Sequence, residues 1–214
     1  ISLAIVVVWG LNRRFVWSVV GLGVVAVGIT SILRPYQRQR LSSMFAMYTG
    51  HCDIKAACYQ INQSKIGLGT GGILGTGPSH ARTLWGFLPN ANTDFIASVV
   101  GEMFGFVGMC VLVVLLAALV FSTGQSALNT DDMTSRLVAF GIMSWFGFEA
   151  IVNLGSVVGW VPVTGIPLPL MSYGGTALIV NLFALGLVAN IAAHNGLNRS
   201  DRFLQSVRGA FWMS

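Results

Sequence analysis

Two acidic residues, Asp94 and Glu102, stand eight residues apart where a polar stretch leads into a long apolar run. If a helix begins near Asp94, then Asp94, Ser98 and Glu102 lie at positions i, i+4 and i+8 and share one face of it. Eight residues of helix rise about 12 Å, so Asp94 would lie at the edge of the apolar run and Glu102 well inside it. A carboxylate inside a membrane span costs on the order of 2.5–3.5 kcal/mol, and such a group usually faces the protein interior and serves a function.

Each acid also has a purely structural interpretation. Asp94 could be an N-cap, because an Asp at that position stabilises the first amides of a helix without any chemistry. Glu102 could be a buried hydrogen-bonding group. The residue types and their spacing leave both interpretations open for both acids.

Basic residues are frequent in the polar segment before Asp94. Four of them are candidate ligands for an anionic, phosphate-bearing molecule, namely Arg38, Arg40, Lys65 and Arg82. Contact with lipid headgroups would explain the same charges. Lys65 in particular is either a snorkelling membrane anchor or a partner for phosphate.

The composition indicates an integral membrane protein. Hydrophobic residues make up 54% of the chain and charged residues 9%, with a mean hydropathy of +0.74, whereas a soluble domain carries about 25% charged residues. A membrane-crossing helix needs about 20 apolar residues, and four runs qualify, at 15–33, 95–122, 136–161 and 173–194. We therefore expect an all-α, polytopic helix bundle that forms a single membrane domain. The net charge of +5 suits membrane topology and anionic lipids rather than nucleic acid.

The ends of the chain bear on topology. Residues 1–12 are apolar but amount to about half a span, and the first residue is Ile. We therefore expect the sequence to be the C-terminal part of a longer membrane protein. Arg13 and Arg14 are separated from the basic tail, residues 195–214, by four spans, so both lie on one side. The positive-inside rule makes that side the cytoplasm, and the loop 34–94 is then extracytoplasmic.

Three stretches between the spans have a local pattern. Residues 54–66 place apolar side chains at helical spacing, which predicts a short interfacial helix. The glycine-rich stretch 67–78 must be a loop or a tightly packed backbone. It also fits G-x-G-x-x-G, but the strand and helix that a dinucleotide site requires are lacking. Residues 161–175 hold three prolines and three glycines, and so apolar an irregular stretch predicts a re-entrant segment beside the site.

The remaining polar and sulfur-bearing residues favour structural roles. Glu149, Asn153 and Ser156 share one helical face, where hydrogen bonding between helices is the favoured interpretation. Cys52 and Cys58 could pair if their loop is extracytoplasmic, but two free thiols are the simpler interpretation.

Taken together, these stretches resemble the SEDS family, the polytopic RodA, FtsW and SpoVE proteins of bacterial cell-wall synthesis. The resemblance rests on the sequences "RPYQRQRL" (34–41), "YQINQSKIGLGTGGILGTG" (59–77), "FLPNANTDFIASVVGEMFGFVG" (87–108) and "NLGSVVGWVPVTGIPLPLMSYGG" (153–175). Their order and spacing also agree with the family, and the likeness covers most of residues 34–195. Members have about ten spans, so the chain resembles a C-terminal half, and residues 34–41 lean slightly towards RodA.

The resemblance implies that the protein polymerises lipid II into glycan strands at the outer face of the bacterial plasma membrane. Asp94 is then the catalytic acid, and it accepts the proton of the attacking sugar 4-hydroxyl as general base. The leaving group is polyprenyl pyrophosphate, whose charge would be met by the four basic residues named above, with Mg²⁺ or Mn²⁺ as a candidate cofactor. Ser98 and Glu102 become candidate substrate-binding residues.

A class B penicillin-binding protein is the partner that the resemblance implies. Two other functions remain open. Polar groups inside the spans, at Glu102, Glu149, Asn153 and Asn181, could line the path of a transporter for a lipid-linked precursor. The protein could also be a non-catalytic scaffold for a partner synthase.

Overall fold

A computed structural model describes residues 57–85, 88, 89 and 91–211, together with four helical residues near the start, Ser18, Gly21, Leu22 and Val25. Within these residues there is no β-strand, and the α-helices are α1 (Ala57–Gly71), α2 (Ile96–Leu128), α3 (Met133–Val158) and α4 (Gly175–Phe211). A short 3₁₀ helix, Arg82–Trp85, lies between α1 and α2. The expected all-α architecture is confirmed.

Three helices of the described part are long and apolar enough to cross a membrane: α2, α3 and the portion Gly175–Asn195 of α4. They correspond to the predicted spans 95–122, 136–161 and 173–194. The expected multi-pass membrane bundle is therefore confirmed, although α2 runs six residues further than its predicted span. Most of the predicted span 15–33 lies outside the described residues.

Local signals fix both ends of α3. Its N-cap is Asp132, whose side chain accepts a hydrogen bond of 2.8 Å from the backbone N–H of Ser135. The hydrogen bonds from Ser135, first through its side chain and then through its backbone, hold the pKa of the Asp132 carboxyl below its usual range. The helix ends at Gly159, which has the left-handed conformation (φ 82°) that an L-residue adopts only with strain.

Helix α1 packs into the bundle rather than beside it. Its buried face includes Ile61 and Ser64, and the Ser64 hydroxyl donates to the carbonyl of Val157 at the end of α3, at 2.9 Å. The sequence predicted a helix over 54–66, and the described helix runs to Gly71. Because α1 contacts both α2 and α3, it is a buried element of the fold and not only a surface helix.

Helix α2 is interrupted at Gly105, whose backbone (φ 66°, ψ −158°) is not helical. The interruption frees backbone groups that a membrane cannot hydrate. The loop 72–77 pairs with them. The amides of Thr76 and Gly77 donate to the carbonyls of Glu102 and Met103, at 2.9 and 3.1 Å.

The pairing also runs in the other direction. The amides of Phe106 and Val107 donate to the carbonyls of Gly72 and Ile73, at 2.9 and 3.2 Å. A side chain on Gly75 would overlap the backbone of Met103. Of the two predicted alternatives, a loop or a tightly packed backbone, residues 72–77 are a loop packed closely on α2, whereas residues 67–71 are helical. Glycine is needed at Gly71 and Gly75, where two main chains meet.

Candidate functional site

Asp94 lies in the turn 91–95 that leads into α2. The N-cap position of α2 is held by Phe95, an apolar residue that cannot cap with its side chain. Asp94 therefore lies one residue outside the position that the capping interpretation requires. Its side chain is partly exposed, and its Oδ2 would lie 3.5 Å from a Cβ placed on Gly165.

The irregular segment 159–174 is fastened to the turn 91–95 by Asn153 of α3. The Asn153 side-chain amide Nδ2 donates to the carbonyl of Asp94, at 2.9 Å, and to the carbonyl of Ile166, at 2.8 Å. These two carbonyls belong to the two non-helical stretches, so one side chain joins both to a membrane helix.

Two more hydrogen bonds join the same stretches. The Ser172 hydroxyl donates to the carbonyl of Thr93 at 2.5 Å and accepts from the amide of Leu168 at 2.7 Å. The amide of Tyr173 donates to the carbonyl of Asn92 at 2.9 Å. The segment predicted to lie beside the site does contact the turn that carries Asp94, and its depth in the membrane stays a prediction.

Glu102 is buried, with 2% of its surface exposed. Its Oε1 accepts from the amide of Arg82 at 2.8 Å and from the hydroxyl of Thr70 at 3.5 Å. Its Oε2 accepts from the amide and the hydroxyl of Thr83, at 2.9 and 2.5 Å. Both oxygens are thus engaged by protein donors, and the carboxylate holds the start of the 3₁₀ helix against α2.

Ser98 is fully buried between α2 and α1. Its hydroxyl donates to the carbonyl of Ser64 at 2.9 Å. A Cβ on Gly67 of α1 would lie 3.1 Å from the Ser98 Oγ and 3.7 Å from the Glu102 Oε2. The helical face predicted for Asp94, Ser98 and Glu102 is found for Ser98 and Glu102 only, because Asp94 lies in the turn before α2. The hydrogen bonds of Ser98 and Glu102 explain both residues without a substrate. A substrate contact by either stays a prediction.

The predicted cations fall into three groups. Lys65 is exposed, and its Nζ would lie 3.1 Å from a Cβ on Gly159, which puts the ammonium at the C-terminal end of α3, where a cation is favourable. The exposed Arg82 borders a cavity of about 260 Å³ that Thr70 and Glu102 also line. Arg38 and Arg40 lie outside the described residues.

A protein-held metal finds little support in the described part of the chain. No group of three or more His, Cys, Asp or Glu side chains comes together among those residues. Glu102 is the acid nearest in sequence to Asp94, and its oxygens are already engaged. The described residues thus form no cage for a metal by themselves, and the predicted Mg²⁺ or Mn²⁺ cofactor stays a prediction.

The other sequence interpretations have mixed outcomes. Glu149 accepts from the indole N–H of Trp145 at 2.7 Å, and the Ser156 hydroxyl donates to the carbonyl of Asn153 at 2.8 Å. These bonds lie within α3, and those of Asn153 go to non-helical backbone, so the described bonds of this face do not join helix to helix.

The cysteine interpretation also changes. Cys58 is disulfide-bonded, whereas Cys110 is free. The interpretation of two free thiols is therefore wrong at Cys58. The other cysteine in that interpretation, Cys52, lies outside the described residues.

Sequence reasoning missed the residues that contact the turn of Asp94 or lie beside its side chain. Asn153 lies 59 residues away along the chain and looked like an interhelical contact. Gly165 and Ser172 were recognised only as parts of an irregular stretch. A buried Asn on a membrane helix, followed by a proline-rich segment, was the available signal, but it did not identify which backbone atoms the amide would bind.

Comparisons with known proteins extend these observations. A protein-family model described as "Cell cycle protein", of FtsW, RodA and SpoVE, matches residues 1–197. The probable peptidoglycan glycosyltransferase FtsW of Trichlorobacter lovleyi is 35% identical over 192 residues, which are 90% of this chain and 50% of that protein. The protein of the same name from Geobacter sp. (strain M18) is 36% identical over 195 residues, which are 90% of this chain and 52% of that protein.

A solved structure is similar as well. It is described as "Structural coordination of polymerization and crosslinking by a peptidoglycan synthase complex". The match has a TM-score of 0.66 and 32% identity, and it covers 90% of this chain and 52% of the other. The chain thus spans about half the length of the proteins that it matches.

Proposed function

The chain belongs to the FtsW, RodA and SpoVE family, and we propose that it is part of a membrane glycosyltransferase that polymerises lipid II into peptidoglycan glycan strands. Two relatives are named as probable peptidoglycan glycosyltransferases. The observation that carries the proposal is the position of Asp94, a partly exposed carboxylate in a turn held to the bundle by Asn153.

Asp94 is the general base of the proposed reaction. The 4-hydroxyl of the acceptor sugar attacks the anomeric carbon of the donor, and its proton passes to the Asp94 carboxylate. The bond from the anomeric carbon to the pyrophosphate oxygen breaks, and polyprenyl pyrophosphate leaves with the electron pair. General-base catalysis of this kind contributes roughly 10²- to 10⁴-fold to a rate.

The charge of the leaving pyrophosphate requires cations. Arg82 and Lys65 are the described candidates, since both side chains are exposed, and Arg38 and Arg40 complete the proposed set from the sequence. Because both substrates carry polyprenyl tails, the membrane itself restricts their approach, and the bundle supplies orientation. No step of this scheme is routed through a metal ion.

The proposed active site lies on the extracytoplasmic face of the bacterial plasma membrane. The disulfide at Cys58, in the first turn of α1, supports this side because disulfides persist in oxidising compartments. The positive-inside rule places the tail 195–214 on the opposite side.

A class B penicillin-binding protein is the proposed partner. The proposal is supported by the likeness to a chain from a peptidoglycan synthase complex. The relatives described above carry the name FtsW, whereas residues 34–41 lean towards RodA. Depletion of the protein would assign it to division or to elongation, according to which of the two processes fails.

The transporter hypothesis depended on polar groups lining a path through the spans. Glu102 and Asn153 bind backbone groups of adjoining loops, so their presence needs no transported substrate. Movement of lipid II across vesicles with no polymer formed would favour transport. Normal growth supported by Asp94→Asn would favour a scaffold.

The decisive experiment compares Asp94→Asn with Asp131→Asn in the full-length protein, reconstituted in lipid and supplied with lipid II. Asp131 is a matched control because the same chemical change falls in the connection between α2 and α3, at the other end of α2. We expect Asp94→Asn to reduce polymerisation at least about 100-fold and Asp131→Asn to leave it near the parent value. Polymerisation retained by folded Asp94→Asn would remove the proposed base.

A further inference from the structure

Asn153 is a buried amide with an unusual division of hydrogen bonds. Only 1% of its surface is exposed, and both of its described side-chain bonds are donated by Nδ2, to the carbonyls of Asp94 and Ile166. Its Oδ1 has no hydrogen-bond partner among the described residues. If the amide were flipped, its Oδ1 would face the carbonyls of Asp94 and Ile166, and none of these oxygens can donate. The two carbonyls therefore determine the orientation of the Asn153 side chain.

The two acceptors belong to the two stretches that meet beside the Asp94 side chain. One is the main-chain carbonyl of Asp94 itself. The other belongs to Ile166, the neighbour of Gly165, beside which the Asp94 Oδ2 lies. A single amide thus fixes the backbone that carries the acid and the backbone that the acid faces, relative to the long helix α3.

Other bonds hold the same two stretches together. The Ser172 hydroxyl binds the Thr93 carbonyl, and the Tyr173 amide binds the Asn92 carbonyl. These contacts do not use Asn153, so the turn and the segment stay associated when the amide is lost. The Asn153 amide adds a hydrogen bond that fixes the main-chain carbonyl of Asp94 itself.

We propose that Asn153 is a positioning residue for Asp94. The proposal rests on the proposed role of Asp94 as general base. Displacing a catalytic group by about 1 Å can cost on the order of 100-fold in rate, so an amide that sets one carbonyl can govern turnover without touching substrate.

The test uses the full-length protein in lipid with lipid II as substrate. Asn153→Leu removes both donors at similar volume, and Asn153→Asp keeps the shape but leaves at most one donor, the O–H of the protonated acid. Asn181→Leu is the matched control, because Asn181 is likewise a buried Asn on a membrane helix, with 3% of its surface exposed.

We expect both Asn153 variants to lower kcat by roughly 10- to 100-fold with little change in KM, and to shift the acidic limb of the pH–rate profile. The limb moves because the surroundings of the base change when its backbone moves. A residue that matters only for stability would reduce the amount of folded protein and leave both kcat and the profile of the folded fraction unchanged. Asn181→Leu should behave in that second way.

Hydrogen exchange separates this proposal from the proposed function. We expect Asn153→Leu to speed amide exchange in peptides covering 91–95 and 166–173, whatever chemistry Asp94 performs. If exchange rises and Asp94→Asn remains active, the positioning stands and the general base is wrong. Two outcomes would show that Asn153 is not a positioning residue. In the first, the exchange, kcat and pH profile of Asn153→Leu all match the parent. In the second, exchange rises and Asp94→Asn is inactive, but the kcat of the folded Asn153→Leu fraction is unchanged.

Discussion

Two junctions near the start of α2 each contain one carboxylate. They differ in whether the described hydrogen bonds engage the side chain of the acid or its backbone. The first, the Glu102 junction, joins α1, the loop 72–77 and the 3₁₀ helix to α2, and every oxygen of its carboxylate accepts hydrogen bonds. The second, the Asp94 junction, joins the turn 91–95 to the segment 159–174, and it binds the backbone of its acid while the side chain is partly exposed.

The two acids therefore have different surroundings, in keeping with the proposal that Glu102 is structural and Asp94 is the general base. A buried carboxylate surrounded by donors is stabilised as an anion and has no free lone pair for an incoming proton. The Asp94 carboxylate differs in that its backbone is fixed by Asn153 while its side chain is partly exposed, with Gly165 beside it. Both residues are acidic, but Glu102 lies within α2 and Asp94 lies in the turn before it, so their contacts differ.

The largest predicted effect tests how tightly the Glu102 junction is packed. Gly71→Ala would push a methyl group into the Gly101 carbonyl, with the carbonyl carbon at 2.9 Å and the Glu102 Cα at 3.0 Å. Because the obstacle is backbone, α1 must move away from α2. We expect the free energy of unfolding to fall by more than about 3 kcal/mol, measured as a loss of folded, monodisperse protein after detergent extraction.

Gly69→Ala is the control for that prediction. Gly69 lies in the same helix two residues earlier, and no described atom lies within 4 Å of a Cβ placed there. The change should stabilise the helix by about 0.5–1 kcal/mol, since Ala is the better helix former. Equal behaviour of the two variants would show that α1 does not pack against α2 as closely as described.

The second prediction concerns the buried acid itself. Glu102→Gln keeps the shape but turns one oxygen into an NH₂ group, which must then face the donors of Arg82 or Thr83. We expect a loss of about 2–3 kcal/mol in the free energy of unfolding, measured by thermal unfolding in detergent. Asp94→Asn, at the other junction, should change stability by less than Glu102→Gln does, because Asp94 is partly exposed and Glu102 is buried.

Stability and polymerisation, measured together on Glu102→Gln, can also show that Glu102 is not purely structural. If Glu102→Gln were as stable as the parent while polymerisation was lost, Glu102 would contact substrate after all. The distinction between the two junctions would then disappear, because both acids would act in the reaction.

Sequence reasoning recovered the helical class and three spans, because the length of a hydrophobic run is a local signal. The role of Asp94 stays a prediction. Helical spacing also placed Ser98 and Glu102 on one face, but it wrongly extended that face to Asp94, which precedes the helix. Sequence reasoning did not recover the break at Gly105, because a glycine in a membrane helix fits close helix packing equally well. The reason is visible only in the fold: the loop 72–77 forms the hydrogen bonds that the interrupted backbone of α2 loses.

The role of Asn153 was beyond sequence reasoning for a related physical reason. A buried amide must find partners, but helical periodicity describes only the side chains on its own helix. Its acceptors lie in two non-helical stretches whose path no periodic pattern predicts. The position of Gly165 beside Asp94 was equally beyond sequence reasoning. Gly165 has a left-handed conformation (φ 73°), and the residues that it meets depend on the path of the whole segment 159–174.

The smallest predicted effect asks whether the space beside Asp94 matters. Gly165→Ala introduces strain at a positive φ and places a methyl group 3.5 Å from the Asp94 Oδ2, which is ordinary contact and not a clash. Gly77→Ala, in the loop of the Glu102 junction, introduces the same kind of strain at φ 84° with no described atom within 4 Å. Each change should cost about 1–2 kcal/mol of stability. Polymerisation by the folded fraction should fall several-fold for Gly165→Ala alone, because the methyl group covers one side of the base. Equal rates in the two folded variants would mean that the open side of the Asp94 carboxylate faces elsewhere, and that the glycine serves only the turn of the chain.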